Sequence, residues 1–284
     1  MKGQFMVSGA EEGTTPPLVV VTGAAGHVGQ LTSQALAGHY RLRLIDLDWP
    51  VGDSRDDVNG IERLALDLTE RGAWDAAIES AQAVVHLAGN AHPEIEARTA
   101  VEGGAMLAAG LAAAASGSAH LKRIVFASSI HTMGLYHREA QYPIRQHWPS
   151  RPCCEYGAAK VFSENLLEIL TERTPVSVVC LRLGLTGYAP VTTGYASQWL
   201  GPGDYAQLLH ASLTVPMRYG TYLGVSAGAT RKWDLTETIR DLGFHPGDPT
   251  PAPVASKTGE NQVPQHCLMF RPPTLPPSPD HAED

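Results

Sequence analysis

The stretch Leu18-Val-Val-Val-Thr-Gly-Ala-Ala-Gly-His-Val-Gly29 decides the fold. Its apolar run is short and unbroken, which suits a strand buried on both faces of a parallel sheet. Glycines follow at 23, 26 and 29, and a helical pattern then runs through Ala37. Strand, glycine turn and helix, in that order, is the context in which a backbone cradles a phosphate. Gly23 permits the tight turn, Gly26 lets the backbone approach a pyrophosphate, and Gly29 lets helix pack closely on strand. The helix N-terminus adds unpaired N–H groups and the positive end of a dipole. An ordinary glycine-rich turn is the competing reading, and the strand–helix context weighs against it. The candidate cofactor residues here are Gly23, Ala25, Gly26, His27, Val28 and Gly29.

The next predicted strand, Tyr40-Arg-Leu-Arg-Leu-Ile45, ends in Asp46. An acidic residue about 20 residues beyond the glycines is placed to bind the adenosine ribose hydroxyls. A carboxylate there repels a 2′-phosphate, so the expected cofactor is NAD, with NADP as the alternative. Asp48 competes for the same role, and capping a loop is the bland reading of Asp46.

Alternation continues along the chain. Strands are predicted at 18–22, 40–46, 62–66, 83–88, 122–128 and 176–183, with helices at 27–38, 70–81, 94–116, 154–173 and 203–215. This pattern predicts an α/β fold, a Rossmann-type doubly wound parallel sheet with right-handed crossovers. Ligands bind such sheets at the carboxyl ends of the strands. Gly23, Asp46, Gly89, Ser129 and Gly184 all follow predicted strands and should gather along one edge. A strand near 218–225 and a helix near 233–242 suggest a small C-terminal substrate-binding subdomain over 184–245. Residues 1–17 read as a disordered leader, and the proline-rich tail from Pro246 as disordered or surface-draped.

Composition sets limits. The chain has 284 residues, 43% of them hydrophobic, enough for a sizeable core. A net charge of −8 without a basic cluster argues against nucleic acid or an anionic membrane as partner. No apolar run reaches about 18 residues, so no membrane span is expected. The first 17 residues lack the apolar core of a signal peptide. Cysteines 153, 154, 180 and 267 fit neither a zinc spacing nor a disulfide framework. We therefore expect a cytoplasmic protein and no metal.

Chemistry enters with Tyr156-Gly-Ala-Ala-Lys160. On a helix, residues four apart share a face. A nearby ammonium favours the phenolate and lowers the tyrosine pKa, making the tyrosine a usable acid/base. The pair Ser128-Ser129 ends the preceding apolar run. Taken alone, Tyr-x-x-x-Lys more often marks an amphipathic surface helix; the glycine loop and the convergent strand ends reverse that judgement.

Together GAAGHVG, Asp46, Asp67-Leu68, HLAG at 86–89, FASS at 126–129 and YGAAK at 156–160 resemble the extended short-chain dehydrogenase/reductase family, in its NAD-dependent epimerase/dehydratase group. The similarity spans roughly 18–245. RIVFASSIHTMG at 123–134 and YGAAKVFSENL at 156–166 look most like uronate dehydrogenases. The resemblance implies that Ser129 orients the substrate oxygen and Tyr156 is the acid/base. Lys160 would lower the tyrosine pKa and hold the nicotinamide ribose. Asp67 and Leu68 would flank the adenine, and Leu87, Ala88 and Gly89 would line the cofactor. It also implies a homodimer through the helix carrying Tyr156 and the helix before it.

Departures bear on the substrate. Uronate dehydrogenases continue the serine pair with Asn-His-Thr, where this chain has Ile130-His131-Thr132. Aligned sugar-binding positions are Ala91, Leu185 and Gly194, the last replacing an arginine that would bind a carboxylate. A pocket without polar partners leaves sugar hydroxyls unpaired. The candidate substrate residues are Ser129, Ile130, His131, Leu185 and Gly194. His131 reads equally as a substrate contact or a packing histidine. The expected activity is ketoreductase/dehydrogenase chemistry on a small, rather apolar hydroxyl or ketone. Uronate dehydrogenase, nucleotide-sugar epimerase and a non-catalytic NAD sensor are the alternatives.

Overall fold

In the computed structural model, residues 15–49, 60–190, 192–254 and 267–271 are described. Most of the expected leader (1–14) and most of the far tail lie outside them. Seven parallel strands form the sheet: β1 Leu18–Thr22, β2 Arg41–Asp46, β3 Ile61–Ala65, β4 Ala83–His86, β5 Arg123–Ser129, β6 Ser177–Leu183 and β7 Tyr219–Gly224. Their order is β3-β2-β1-β4-β5-β6-β7. Chain order reverses direction beside β1, so a crevice opens at the carboxyl ends of β1 and β4, the place where such sheets bind ligands. β7, expected in the C-terminal subdomain, pairs with β6 and extends the main sheet.

Helices cover both faces. α1 (His27–Leu36) and α5 (Pro202–Thr214) pack on one side; α2 (Ala73–Ile78), the long helix α3 (Ala97–Gly117) and α4 (Glu155–Arg173) pack on the other. A last helix, α6 (Thr236–Leu242), follows β7. β1 shows why both faces are apolar. Val19 and Val21 join the core under α1 and α5, while Val20 joins the one under α3 and α4. A strand buried on both faces needs an unbroken apolar run.

α3 is long and apolar enough to cross a membrane by length and composition. Its Leu107, Ala108, Leu111, Ala112 and Ala115 are instead buried in the protein core. The helix widens into a π turn at Val101–Ala105, where the carbonyl of Gly103 approaches Gly89 so closely that a β-carbon there would lie 2.4 Å from it.

His86 ties β4 to β1. Its Nδ1 lies 2.8 Å from the Thr22 hydroxyl, whose oxygen also accepts the backbone N–H groups of Leu87 and Ala88. Burial first, and the Lys160 charge second, push the imidazole down to about 3. Between about pH 3 and 6.5 the unfolded chain takes up a proton that the folded chain refuses. The stability contribution of the neutral ring is complete above about pH 6.5 and is lost at up to about 1.4 kcal/mol per pH unit as pH falls through that window. His86→Leu is expected to flatten the pH dependence of the urea midpoint between pH 6.5 and 4 by one proton; an unchanged slope would contradict this.

Candidate active site

The glycine loop leaves β1 and enters α1 at Gly26, its N-cap. Gly23 has φ +70°, and a β-carbon there would sit 2.8 Å from the Ala88 nitrogen. A β-carbon on Gly29 would lie 2.2 Å from the Gly23 carbonyl oxygen. The two positions therefore require glycine for different reasons, backbone conformation with close approach and helix-on-loop packing. Asp46 at the end of β2 accepts the Ala25 N–H at 2.9 Å and its neighbour Leu47 N–H at 2.8 Å. These bonds aim its carboxylate into the crevice and leave further lone pairs for ribose hydroxyls. Asp48 is absent from the crevice lining and accepts the Trp49 N–H.

The crevice has a volume of about 630 Å³, within the range of ligand clefts. Of the thirteen cofactor residues expected, twelve line it, Gly23, Ala25, Gly26, His27, Val28, Gly29, Asp46, Asp67, Leu68, Leu87, Ala88 and Gly89, and Lys160 does not. Asp67 accepts from the Thr69 N–H and hydroxyl, which hold its carboxyl below the usual range. Tyr188 was not anticipated. Its hydroxyl lies 2.7 Å from His27 Nδ1, closing over the loop from the far side. The signal was available: Gly187-Tyr188 follows β6 at the same sheet edge.

A second group lies at the end of β5. Ser129 stands beside the Tyr156 phenol and accepts the His131 N–H. Lys160, one turn along α4, donates to the Ala127 carbonyl at 2.7 Å and sits 4.6 Å from the Phe126 ring centroid. The expected lowering of the tyrosine pKa is not found. Burial pushes the phenol up to about 12, against the Ser129 bond. The ammonium is 5.7 Å from the Tyr156 centroid and is itself pushed down to about 8, chiefly by burial. Charge in this dry site is costly on either partner.

The substrate residues divide. Ile130 is buried in the core beside Met133. Leu185 pairs in a short parallel ladder with Trp199. Gly194 faces the Phe270 ring, 3.8 Å from where a β-carbon would stand, and Phe270 packs on Tyr195. Cys267 and Met269 are buried, so this part of the proline-rich tail returns to the core instead of draping the surface. The His131 imidazole stands edge-on to Tyr156, with centroids 5.8 Å apart. Its Nδ1 lies 3.3 Å from Cys153 Sγ and 3.5 Å from both Cys154 and Cys267 Sγ. Burial opposes the imidazolium, yet contact with Cys154 and Cys267 raises the ring to about 9. The expectation of no metal rests on spacing along the chain, and spacing does not see this cluster.

Comparison with known proteins settles the family. Residues 19–194 match the model of the NAD dependent epimerase/dehydratase family. The chain belongs to that family. It is an NAD-dependent enzyme of the dehydrogenase/epimerase class, and its glycine cradle, the Asp46 carboxylate in the crevice wall and the crevice itself fit a dinucleotide. The enzyme is 28% identical to a uronate dehydrogenase of Pseudomonas putida, covering 83% of this chain and 86% of that one. It is 29% identical to an L-arabinose 1-dehydrogenase (NAD(P)(+)) of Haloferax volcanii, over 81% and 96%. Among solved structures, the uronate dehydrogenase of Agrobacterium tumefaciens aligns with a TM-score of 0.73 at 29% identity, covering 82% and 85%. A variant of that protein was solved with NAD.

Proposed function

We propose that the enzyme interconverts a hydroxyl and a ketone on a small, rather apolar molecule, using Ser129, Tyr156 and Lys160. The carrying observation is Ser129 beside the Tyr156 phenol, with Lys160 one turn further along the same helix, at the edge that holds the glycine-lined crevice. When bound, the nicotinamide cofactor supplies or accepts the hydride. Ser129 and Tyr156 hold the substrate oxygen between two hydroxyls, and the phenol donates the proton that turns a carbonyl into an alcohol, or takes it back in the reverse direction. Lys160 fixes the local charge and, in this reading, hydrogen-bonds the nicotinamide ribose. Cofactor roles for the crevice residues, with Asp46 favouring NAD over NADP, belong to the same proposal.

The apolar preference draws on Gly194 against Phe270 and on the absence of any charged side chain in 185–203. A uronate substrate is the second reading, favoured by the names of the relatives. A homodimer through α3 and α4 is supported by the exposed Val101, Met106, Phe162 and Ile169 on those helices. The test is an absorbance assay of nicotinamide oxidation state. Galacturonate and glucuronate are offered with NAD⁺ or NADP⁺, and aromatic and polycyclic ketones with the reduced forms. Turnover of an apolar ketone without turnover of uronates is expected; efficient uronate oxidation would transfer the proposal to the sugar acid.

A further inference from the structure

His131, Cys153, Cys154 and Cys267 come from three separate segments. His131 lies on the turn after β5, the vicinal cysteines lead into α4, and Cys267 lies in the returning tail. Their ligand atoms all lie within 4.8 Å of one another. Cys153 Sγ is 3.5 Å from Cys267 Sγ, too long for a disulfide, whose sulfurs stand about 2.05 Å apart. A tetrahedral zinc ion with Zn–S of about 2.3 Å and Zn–N of about 2.05 Å sets ligand atoms roughly 3.5–3.8 Å apart. The three N···S distances, 3.3, 3.5 and 3.5 Å, and this S···S distance fall close to those edges. The remaining sulfur separations close by about 1 Å or less to reach them.

We propose that these four side chains form a closed zinc site that clamps the Cys267–Arg271 segment onto the wall of the active site. Three soft sulfurs and one imidazole select zinc over hard cations. Four protein ligands leave no open position, which marks a structural and not a catalytic site. Loading releases the protons held by the cysteines and the imidazole to solvent and leaves three thiolates and a neutral imidazole around the ion. The surroundings are built to hold the cluster. Cys153 donates its N–H to the His131 carbonyl and accepts the Leu268 N–H, so the backbone already joins all three segments. A β-carbon on Gly134 would lie 2.2 Å from Cys153 Sγ, so glycine is needed there to admit the sulfur. Phe270, which covers Gly194, is three residues beyond the ligand Cys267. The clamp thus carries an aromatic side chain to the position where the resembling enzymes place an arginine.

The experiment uses full-length protein, free of a histidine tag and purified under reducing conditions. Elemental analysis should find one zinc per chain. Cobalt(II) replacing zinc should give the intense visible bands of a tetrahedral site and a thiolate charge-transfer band. Cys267→Ser should abolish the thiolate band's full intensity and weaken metal binding by more than the roughly 10–100-fold that loss of an outer-shell partner costs. Cys180→Ala, which removes the cysteine buried in β6, should keep the metal in full. Chelation should lower the Tm of the parent protein and leave that of Cys267→Ser unchanged. NAD binding by Cys267→Ser checks that the variant is folded. A reduced protein that holds no zinc and takes up no cobalt would overturn the proposal. So would metal retained unchanged in Cys267→Ser, or a Cys153–Cys267 disulfide found by mass spectrometry.

Discussion

Tyr156→Phe is expected to lower turnover by about 100- to 10,000-fold, the usual contribution of a positioned acid/base, and to leave NAD affinity within a few-fold. The substitution removes one hydroxyl. The ring is 8% exposed, wedged between α4 and the turn after β5, so phenylalanine keeps the packing. What disappears is the O–H beside Ser129. Tyr156 does not line the dinucleotide crevice, which is why cofactor affinity should survive. Steady-state rates and an NADH fluorescence titration measured on one preparation separate the two effects. A loss confined to turnover supports proton transfer at this oxygen. An unchanged rate would move the chemistry elsewhere, and equal losses in rate and NAD binding would point to collapse of the site.

Much of this arrangement can be read from the chain because its determinants are local. β1 begins and ends at the predicted residues, and β2, β3 and β6 begin or end within one residue of theirs. β1 and β6 are runs buried at every residue, whereas β2 carries Arg41 and Arg43 and β3 carries Glu62 and Arg63, and turn or loop residues bound all four. The crevice follows from topology, since parallel strands present their carboxyl ends to the same side. Three features escaped for physical reasons. α3 was expected as one regular helix, but the close approach of Gly89 to Gly103 coincides with a wider π turn, and pairwise contact is invisible to periodicity. The tyrosine pKa moved opposite to expectation because sequence spacing shows the ammonium but not the dryness that outweighs it. Cys267 meets Cys153 across 114 residues, so no spacing rule reaches it, and the prolines before it describe the path of the tail without its destination.

Glu164→Leu is expected to cost about 3–5 kcal/mol, the usual price of leaving one member of a buried ion pair alone. For a chain of this size that is roughly 10 °C in Tm. Arg182 on β6 grips Glu164 on α4 with two bonds, Nε to Oε1 at 2.9 Å and an Nη to Oε2 at 2.7 Å. Both side chains are at most 5% exposed. Ser128 donates to the same carboxylate at 2.5 Å. Removing the carboxylate strands a buried guanidinium and a buried hydroxyl together. The double variant Glu164→Leu with Arg182→Met should recover much of the loss, because the charge is then gone from both sides. A single variant within about 1 kcal/mol of the parent would mean that Arg182 is satisfied by its other acceptors, the Gln146 carbonyl and the Ser150 hydroxyl. The proposed chemistry is tied to the same contact. Tyr156, Lys160 and Glu164 are spaced by four and share one face of α4. Tyr156 stands beside Ser129, Lys160 donates to the Ala127 carbonyl and Glu164 accepts from Ser128, all at the end of β5. The ion pair anchors the far end of that row, so the double variant, even if stable, should place the phenol less well. That loss should appear in kcat more than in NAD affinity. An unchanged kcat in the stable double variant would show that Lys160 and Ser129 alone set the register.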